Sequence, residues 1–416
     1  MIDTLLIANR GEIARRVMRT CREMGIRTIT VYSDADAHQP WVREADLAIR
    51  LGAPPPQESY LNGELILAIA QGNRVDAIHP GYGFLAENAA FAAACTGRGI
   101  LFVGAPAQAI ADMADKARAK KLMAAAGVPV VPGYMGEDQS LSALQEHAEG
   151  VGYPLMVKAV AGGGGRGIRI VHRSADFADA VTAARREAES AFGDGRLMLE
   201  KYLAATRHVE FQVVADNHGN TLHFFDRECS VQRRHQKIIE EAPSPALDDE
   251  LREAMGLAAV RAAQAVDYRG AGTVEFLLDE GRKFYFLEMN TRIQVEHPIT
   301  EMISGVDLVR LQIEVAEGKT LPYSQDELKP HGHAFECRLN AEQPQKNFLP
   351  AVGRLLQMDF PAGPGLRVDS GFEAGSEIGP HYDSLLAKLI AWGPTRDEAL
   401  RKAKDLLARG FVAERS

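Results

Sequence analysis

The sequence predicts a chain of two classes, α/β at its start and α+β beyond it. Three observations carry this. Short apolar runs alternate with segments of helical spacing up to residue 106, as in a parallel sheet covered by helices. From about residue 112 the texture changes to apolar runs separated by turn residues. The length, 416 residues, exceeds one typical domain, so two or three are expected.

Taken in order, residues 4–8 (TLLIA) form a short apolar run, and 9–25 carry Ile13, Val17, Met18 and Cys21 at helical spacing before Gly25. RTITVYS (27–33) reads as a second buried strand, ELILAIAQGN (64–73) as a helix, and DAIHP (76–80) and ILFVGAP (100–106) as further strands. Parallel sheets bind ligands at the carboxyl ends of their strands, which places the loops ANRGE and HPGYGFLAEN at a site. A helix carrying Lys116 is followed by VPVVPGY, whose prolines mark a linker. PLMVKAV, RIVHR, LMLEKYL, VEFQVVAD and TLHFFDREC read as strands joined by short turns, and 273–290 as a hairpin. After a second linker at 323–333 come strands HAFECRLN, RLLQMDF and LRVDSGF and a closing helix, TRDEALRKAKDLLARG.

Hydrophobic content of 46% and charged content of 25% are ordinary for a globular protein. A net charge of −9 without a basic run argues against nucleic acid as a partner. The four cysteines are far apart and form neither a metal-ligand pair nor a disulfide framework, as expected in a reducing compartment. The apolar runs are too short to span a membrane, and the N-terminus lacks a basic region and a cleavage site. A cytoplasmic location with no membrane partner is the expectation.

KAVAGGGGRGIRIV (158–171) is not a Walker loop, because no Gly-Lys-Ser/Thr ends it and a strand follows rather than a helix. The missing helix also disfavours a dinucleotide site. The run reads as a glycine-rich hairpin turn, a lid whose backbone N–H groups approach phosphate oxygens closely. The alternative is a bare surface turn. Lys158 speaks against it: within an apolar strand an ammonium group calls for an anion, and phosphate is a natural one.

In TVEFLLDEGRKFYFLEMN a two-residue type II′ turn at Gly281-Arg282 is expected. That register pairs Glu280 with Lys283, Leu277 with Phe286 and Glu275 with Glu288. Two carboxylates then face each other at about 5 Å. Such a pair calls for a proton or a cation between them. With the amide of Asn290 they offer hard oxygen ligands suited to Mg²⁺ or Mn²⁺. The alternative is a register that leaves Glu275 on the solvent face. Beyond Glu288 the polar residues Asn290, Arg292, Gln294 and Glu296 fall at every second position. If extended throughout, the segment carries all of them on one face. A solvated strand face is the plain reading, but the mixture of hydrogen-bonding types is that of a binding site.

These stretches resemble the ATP-grasp enzymes and, within them, the biotin carboxylase component of biotin-dependent carboxylases such as acetyl-CoA and acyl-CoA carboxylases. LLIANRGEIARRV, IHPGYGFLAEN, GGGGRG, LEKYL, RHVEFQV, RECSVQRRHQKIIEEAPSP and EMNTRIQVEHPITE carry the match across almost the whole chain. The resemblance implies a Rossmann-like N-terminal domain (1–112), an ATP-grasp domain (113–322) with a lid at about 131–203, and a C-terminal mixed β domain (331–416). It implies ATP-dependent carboxylation of carrier-bound biotin with bicarbonate, via carboxyphosphate. Lys116, Lys158, Gly164 and Gly165 match phosphate contacts, Glu200, Lys201 and Leu203 the adenine segment, and His208 and His235 further nucleotide contacts. Glu275, Glu288 and Asn290 match the ligands of Mg²⁺ or Mn²⁺, of which two ions are implied. Lys237, Arg292 and the backbone at Val295 match the bicarbonate site, Glu296 the general base, and Arg338 the anchor of the biotin ureido oxygen. On this reading Arg292, four residues away on the same face, keeps Glu296 ionised.

Two departures stand out. The chain has no Ala-Met-Lys-Met-like segment, so the biotin carrier protein or domain is expected elsewhere, as is the carboxyltransferase subunit. It also stops soon after DLLARGFVAERS, where the family continues, so a short or truncated C-terminal domain is expected. Relatives that are often dimers imply a homodimer. The rival reading is another ATP-grasp ligase, carbamoyl-phosphate synthase-like or a carboxylate–amine ligase, which would share the lid and the acidic pair but not RRHQKIIEEAPSP, QVEHP and Arg338. A nucleotide-binding subunit without turnover is opposed by Glu296, Arg292 and Lys237 together. The final acceptor of the carboxyl group is not written in the chain.

Overall fold

The computed structural model describes residues 1–160, 168–234 and 236–415. The first sheet is parallel, in the order β3-β2-β1-β4-β5, with β1 Thr4–Ile7, β2 Arg27–Ser33, β3 Leu47–Gly52, β4 Ala77–His79 and β5 Leu101–Phe102. Around it lie α1 Gly11–Met24, α2 Pro40–Glu44, α3 Gly63–Gly72 and α4 Ala89–Gly97. The α/β expectation holds here. The edge strand β3 was not expected, because LAIRLG is only half-buried and carries Arg50 in the middle of its run. The stripe Ile13, Val17, Met18 and Cys21 is buried, and Gly25 ends α1 in the left-handed conformation (φ 72°).

After α5 Ala107–Ala114 and α6 Lys116–Ala125, a four-stranded antiparallel sheet has the order β6-β9-β7-β8: β6 Gly133–Tyr134, β7 Leu155–Ala159, β8 Ile168–Val171 and β9 Leu197–Lys201. Here the expectation of short turns fails. α7 Leu141–Val151 precedes β7, and α8 Phe177–Phe192 joins β8 to β9, burying Phe177, Val181, Ala184 and Ala188 against the sheet. That stripe is small and alanine-rich, which hides its helical spacing.

An eight-stranded antiparallel sheet follows, in the order β14-β13-β10-β11-β12-β15-β21-β19. Its strands are β10 Thr206–Ala215, β11 Thr221–Arg233, β12 Gln236–Ala242, β13 Gly270–Asp279, β14 Phe284–Asn290, β15 His333–Asn340, β19 Leu366–Ser370 and β21 Leu385–Gly393. α9 Asp249–Gln264 packs on β10 and β11, α10 is His297–Ser304 and α11 Leu308–Ala316. Strands on both sides of the linker at 323–333 thus share one sheet, through the β12–β15 ladder. The remaining strands are β16 Glu342–Gln343 with β17 Leu349–Pro350, and β18 Gly353–Asp359 flanked by β20 Glu377–Ile378 and β22 Phe411–Arg415; α12 Arg396–Arg409 covers β21 and β15. One core joins the α1 stripe to Ile299, Ile303, Leu311 and Ile313 of α10 and α11. Among the described residues no helix is long and apolar enough to cross a membrane.

The hairpin corrects the expected register. Its turn is longer than two residues: Asp279 N–H donates to Lys283 O, and Arg282 sits in the left-handed region (φ 62°). The expected pairing of Leu277 with Phe286 is replaced by Phe276 with Phe286, and that of Glu280 with Lys283 by Asp279 with Lys283. A bulge at Leu287 then restores the lost residue, so Glu275 lies opposite Glu288 after all. The expected extension through Glu296 is also corrected. β14 ends at Asn290, residues 291–294 bend away, and Glu296 is the N-cap of α10, whose first turn holds Pro298.

Candidate active site

A cleft of about 1540 Å³ opens where the carboxyl ends of β1 and β4 meet the large sheet and the β7–β8 hairpin. The loops read as ligand-facing in the sequence do line it, through Asn9, Arg10, Glu12, Tyr82 and Phe84. Asn9 ties the two loops together by donating to Pro80 O (2.7 Å) and Tyr82 O (2.8 Å). Gly81 sits against that amide with φ 63°, where a Cβ would meet Nδ2 at 2.8 Å. The cleft also takes in Lys158, His208, Lys237, Glu275, Glu288, Asn290, Arg292, Val295, Glu296 and Arg338. Residues scattered over the sequence therefore converge, although the strand that was to align half of them stops short.

At the centre Lys237 Nζ touches three carboxylates: Glu210 (2.5 Å), Glu275 (2.9 Å) and Glu296 (2.6 Å). Arg338 Nη2 reaches Glu296 Oε2 at 2.9 Å. Burial works against the Glu296 anion, but Lys237, then Arg338 and Arg227, hold its carboxyl well below the ordinary range. This corrects the expected partner of Glu296. Arg292 turns instead to Glu87 (2.8 Å) and to Asn290 Oδ1 (3.1 Å). The Val295 carbonyl accepts from the buried Lys388 at 2.9 Å.

Below this layer Arg227 is fully buried and its fork is fully used. Nε donates to Glu210 (2.6 Å), Nη1 to Gln212 and Thr300 (both 2.9 Å), and Nη2 to Thr273 (3.0 Å) and Gln294 (2.8 Å). Gln294 in turn donates to Glu275 at 2.8 Å.

The acidic pair is charged in a way the sequence did not suggest. Glu275 Oε1 accepts from Asn290 (2.8 Å), Gln294 (2.8 Å) and Lys237 (2.9 Å), and Oε2 lies 2.8 Å from His208. His208 and Glu210 also gather with Glu275 in one compact group, and Glu210, Cys229 and Glu296 form another. His208 is pulled down by burial but raised on balance by Glu275. Glu288 faces the cleft with its carboxyl raised, by desolvation and then by Glu275 across the ladder. A carboxylate short of counter-charge beside a second carboxylate and an amide oxygen is a donor set that fits a hard divalent cation.

Lys116 begins α6 and lines a smaller cavity of about 270 Å³ with Glu288 and Asn290. Lys158 contacts Glu200, whose other oxygen contacts Lys120, a buried lysine one turn after Lys116 that sequence reasoning missed. Burial, then Lys158 and Lys116, lowers Lys120 to about 7; burial and Lys116 lower Lys158 to about 8. Two ammonium groups share the Glu200 carboxylate, with Lys116 near enough to act on both, and this concentration of positive charge is the electrostatic signature of an anion site. Lys201 is turned away and donates to Gly152 O (3.1 Å) and Tyr153 O (3.2 Å), while Leu203 follows β9 half-buried and Tyr202 lines the cleft between them. Gly164, Gly165 and His235 lie outside the described residues.

The other residues missed, Glu87, Glu210, Arg227 and Glu240, lie within the stretches that carry the resemblance, but no local pattern singles them out. Only their burial and partners mark them. Three family models match the chain: the N-terminal domain of biotin carboxylase over residues 1–110, the ATP binding domain of the carbamoyl-phosphate synthase L chain over 115–324, and the C-terminal domain of biotin carboxylase over 336–414. The chain is 53% identical over 407 residues to the mitochondrial methylcrotonoyl-CoA carboxylase subunit alpha of Dictyostelium discoideum, covering 98% of its own length and 58% of that protein. It therefore spans little more than half of such curated relatives. To the biotin carboxylase of Nostoc sp. (strain PCC 7120) it is 52% identical, over 97% of the chain and 91% of the relative. The solved biotin carboxylase domain dimer of Hydrogenobacter thermophilus 2-oxoglutarate carboxylase, in complex with MgADP, ADP and bicarbonate, matches at 46% identity and a TM-score of 0.93, covering 100% of the chain and 91% of that structure.

Proposed function

The chain belongs to the biotin carboxylase family, and from that premise we propose that it carboxylates biotin on a carrier protein or domain with ATP and bicarbonate, the first half-reaction of an acyl-CoA carboxylase. The observation that carries this reading is Glu296, buried between Lys237 and Arg338 in a cleft that Lys158 also lines.

Bicarbonate binds against Lys237, Arg292 and the backbone at Val295, and ATP lies along the lid with its phosphates toward Lys116, Lys158, Gly164 and Gly165. Glu200, Lys201, Leu203, His208 and His235 frame the rest of the nucleotide. Glu275 and Glu288, with Asn290, would hold Mg²⁺ or Mn²⁺, which when bound neutralises phosphate oxygens. A bicarbonate oxygen attacks the γ-phosphorus as the bond to the ADP oxygen breaks, giving carboxyphosphate, and Glu296 takes the bicarbonate proton. Carboxyphosphate separates into CO₂ and phosphate. The phosphate removes the biotin N1 proton, and N1 attacks CO₂ while Arg338 stabilises the developing negative charge on the ureido oxygen.

The same cations that bind substrates also weaken Glu296 as a base. Lys237 spent on bicarbonate no longer holds the carboxyl down, so its basicity rises when that substrate is in place. The function would thus be coupled to loading. Division of the chain into residues 1–112, 113–322 and 331–416, a carboxyltransferase partner, a homodimer and a cytoplasmic location belong to this reading. The four buried free thiols support the last of these. The match of 115–324 to a carbamoyl-phosphate synthase domain keeps another ATP-grasp ligase as the second reading. ADP release measured with and without bicarbonate and free biotin separates the two. Biotin carboxylation requires release that depends on bicarbonate, rises with biotin and falls by roughly 10²- to 10⁴-fold in Glu296→Gln. Release indifferent to both substrates would overturn it.

A further inference from the structure

We propose that Glu240 is a positioning residue: it aims the Arg338 guanidinium into the cleft, and its ionisation sets how well biotin is used. This rests on the reading of Arg338 as the biotin anchor.

Glu240 lies on β12 directly across the ladder from Glu336 of β15, two residues before Arg338. Its side chain is fully buried. One oxygen, Oε1, takes both Nε (2.7 Å) and Nη2 (2.6 Å) of Arg338, while Nη2 also reaches Glu296 at 2.9 Å. Two edges of the fork are thereby fixed. Among the described residues no carboxylate takes Nη1, and Arg338 lines the cleft. A guanidinium held through Nε and Nη2 cannot rotate about its long axis, so Nη1 is presented rather than searched for. Held by Glu296 alone, through a single nitrogen, it would swing.

The second half concerns protons. Glu240 Oε2 and both oxygens of Glu336 make no hydrogen bond among the described residues. Two buried carboxyls face each other across one ladder, and such a pair does not ionise twice. The charges around Glu240 are Arg338 and Glu336 on β15, Lys388 on β21, Glu296 at the start of α10 and Lys237 on its own strand. The thiols of Cys229 and Cys337 are raised by burial and stay neutral. Burial and Lys388 act on Glu336 in opposite senses, and burial prevails, so Glu336 keeps its proton well above its ordinary range. Glu240 is pushed up to about 7, by burial against Arg338. Within the pair, Glu240 is therefore the carboxyl that changes charge near neutrality.

The test is the pH profile of kcat/KM for free biotin from pH 6 to 8.5, measured by bicarbonate-dependent ADP release. In the unchanged chain it rises with pH through the neutral range as Glu240 ionises and fixes Arg338. Glu240→Gln lowers it by roughly 10- to 100-fold and removes that rise. Glu240→Asp restores part of the rate together with the rise. Glu336→Gln, a neutral amide in place of a carboxyl that stays protonated, leaves the rise where it was. Biotin kcat/KM and pH profile unchanged in Glu240→Gln would overturn the proposal. So would equal loss in Glu240→Gln and Glu336→Gln, which means general damage to the ladder. A wild-type chain that ignores biotin altogether would sink this inference and the biotin reading together, a result distinct from either.

Discussion

Replacing Arg227 by methionine tests whether the floor of the site is held electrostatically. Methionine matches the length of the stem, so little cavity opens, and the change isolates the guanidinium. Five hydrogen bonds are lost, one of them to the buried carboxylate of Glu210. At about 1 kcal/mol net each this amounts to about 5 kcal/mol. Deleting one partner of a buried ion pair costs about 3–5 kcal/mol by a separate route. Glu210 keeps Lys237 at 2.5 Å, which favours the lower half of that range. With an unfolding entropy of about 2.1 cal/mol/K per residue, such a loss over 416 residues lowers Tm by roughly 4 °C. Scanning calorimetry reads this directly. Adding Glu210→Gln should recover part of it, with a coupling of about 1–3 kcal/mol in the double-mutant cycle. A Tm within about 1 °C of the parent, and no coupling, would refute the view that Arg227 organises the floor.

Two other outcomes follow from the charges described. Because Lys120 and Lys158 are lowered to about 7 and about 8, first by burial and then by neighbouring ammonium groups, the phosphates of ATP should raise both. Binding near pH 7.5 then takes up protons, visible in titration calorimetry as an enthalpy that depends on the buffer; proton release would contradict it. The second outcome concerns Glu336, whose folded-state pKa lies above its unfolded value. The native state binds the extra proton as pH rises past the unfolded value of about 4.3, so stability falls with pH through that window. Glu336→Gln removes the penalty. Its Tm relative to the parent should be higher at pH 8 than at pH 5, and a pH-independent difference would count against a buried, protonated Glu336.

Much of the architecture was legible because apolar runs and helical stripes are long-range averages. β2 and β15 match the expected segments residue for residue, and the α1 stripe packs as its spacing implied. The hairpin shows how a local rule fails. The turn type was misjudged, and the pairing of Leu277 with Phe286 failed by one residue. Glu275 still met Glu288, because the bulge at Leu287 cancels the slip. Period-two spacing brought Asn290, Arg292, Gln294 and Glu296 to attention, yet only Glu288 and Asn290 lie on the strand. The others arrive through a bend and a helix cap, for which alternation is irrelevant. Glu210, Glu240, Arg227 and Lys120 could not be seen at all. Arg227 sits between Asp226 and Glu228, Glu240 beside Glu241 and Lys120 beside Lys121, so local charge does not tell them apart, and what matters about each is a partner at least 15 residues away in sequence.

The β12–β15 ladder has a mechanical consequence. Ile239 with Cys337, and Glu240 with Glu336, belong to one continuous sheet that also carries Glu275 and Glu288. The arginine on β15 and the acidic pair on β13 and β14 cannot hinge apart without breaking main-chain hydrogen bonds. They belong to one hydrogen-bonded frame. Among the described residues the sheet β6-β9-β7-β8, which bears Lys158, shares no strand ladder with that frame and is tied to it by a single bridge of Val130 to Phe286 ahead of β6. Any relative movement of the two sheets therefore carries Lys158 rather than Arg338, and on the proposed function the Arg338 side would stay a fixed platform for carrier-bound biotin.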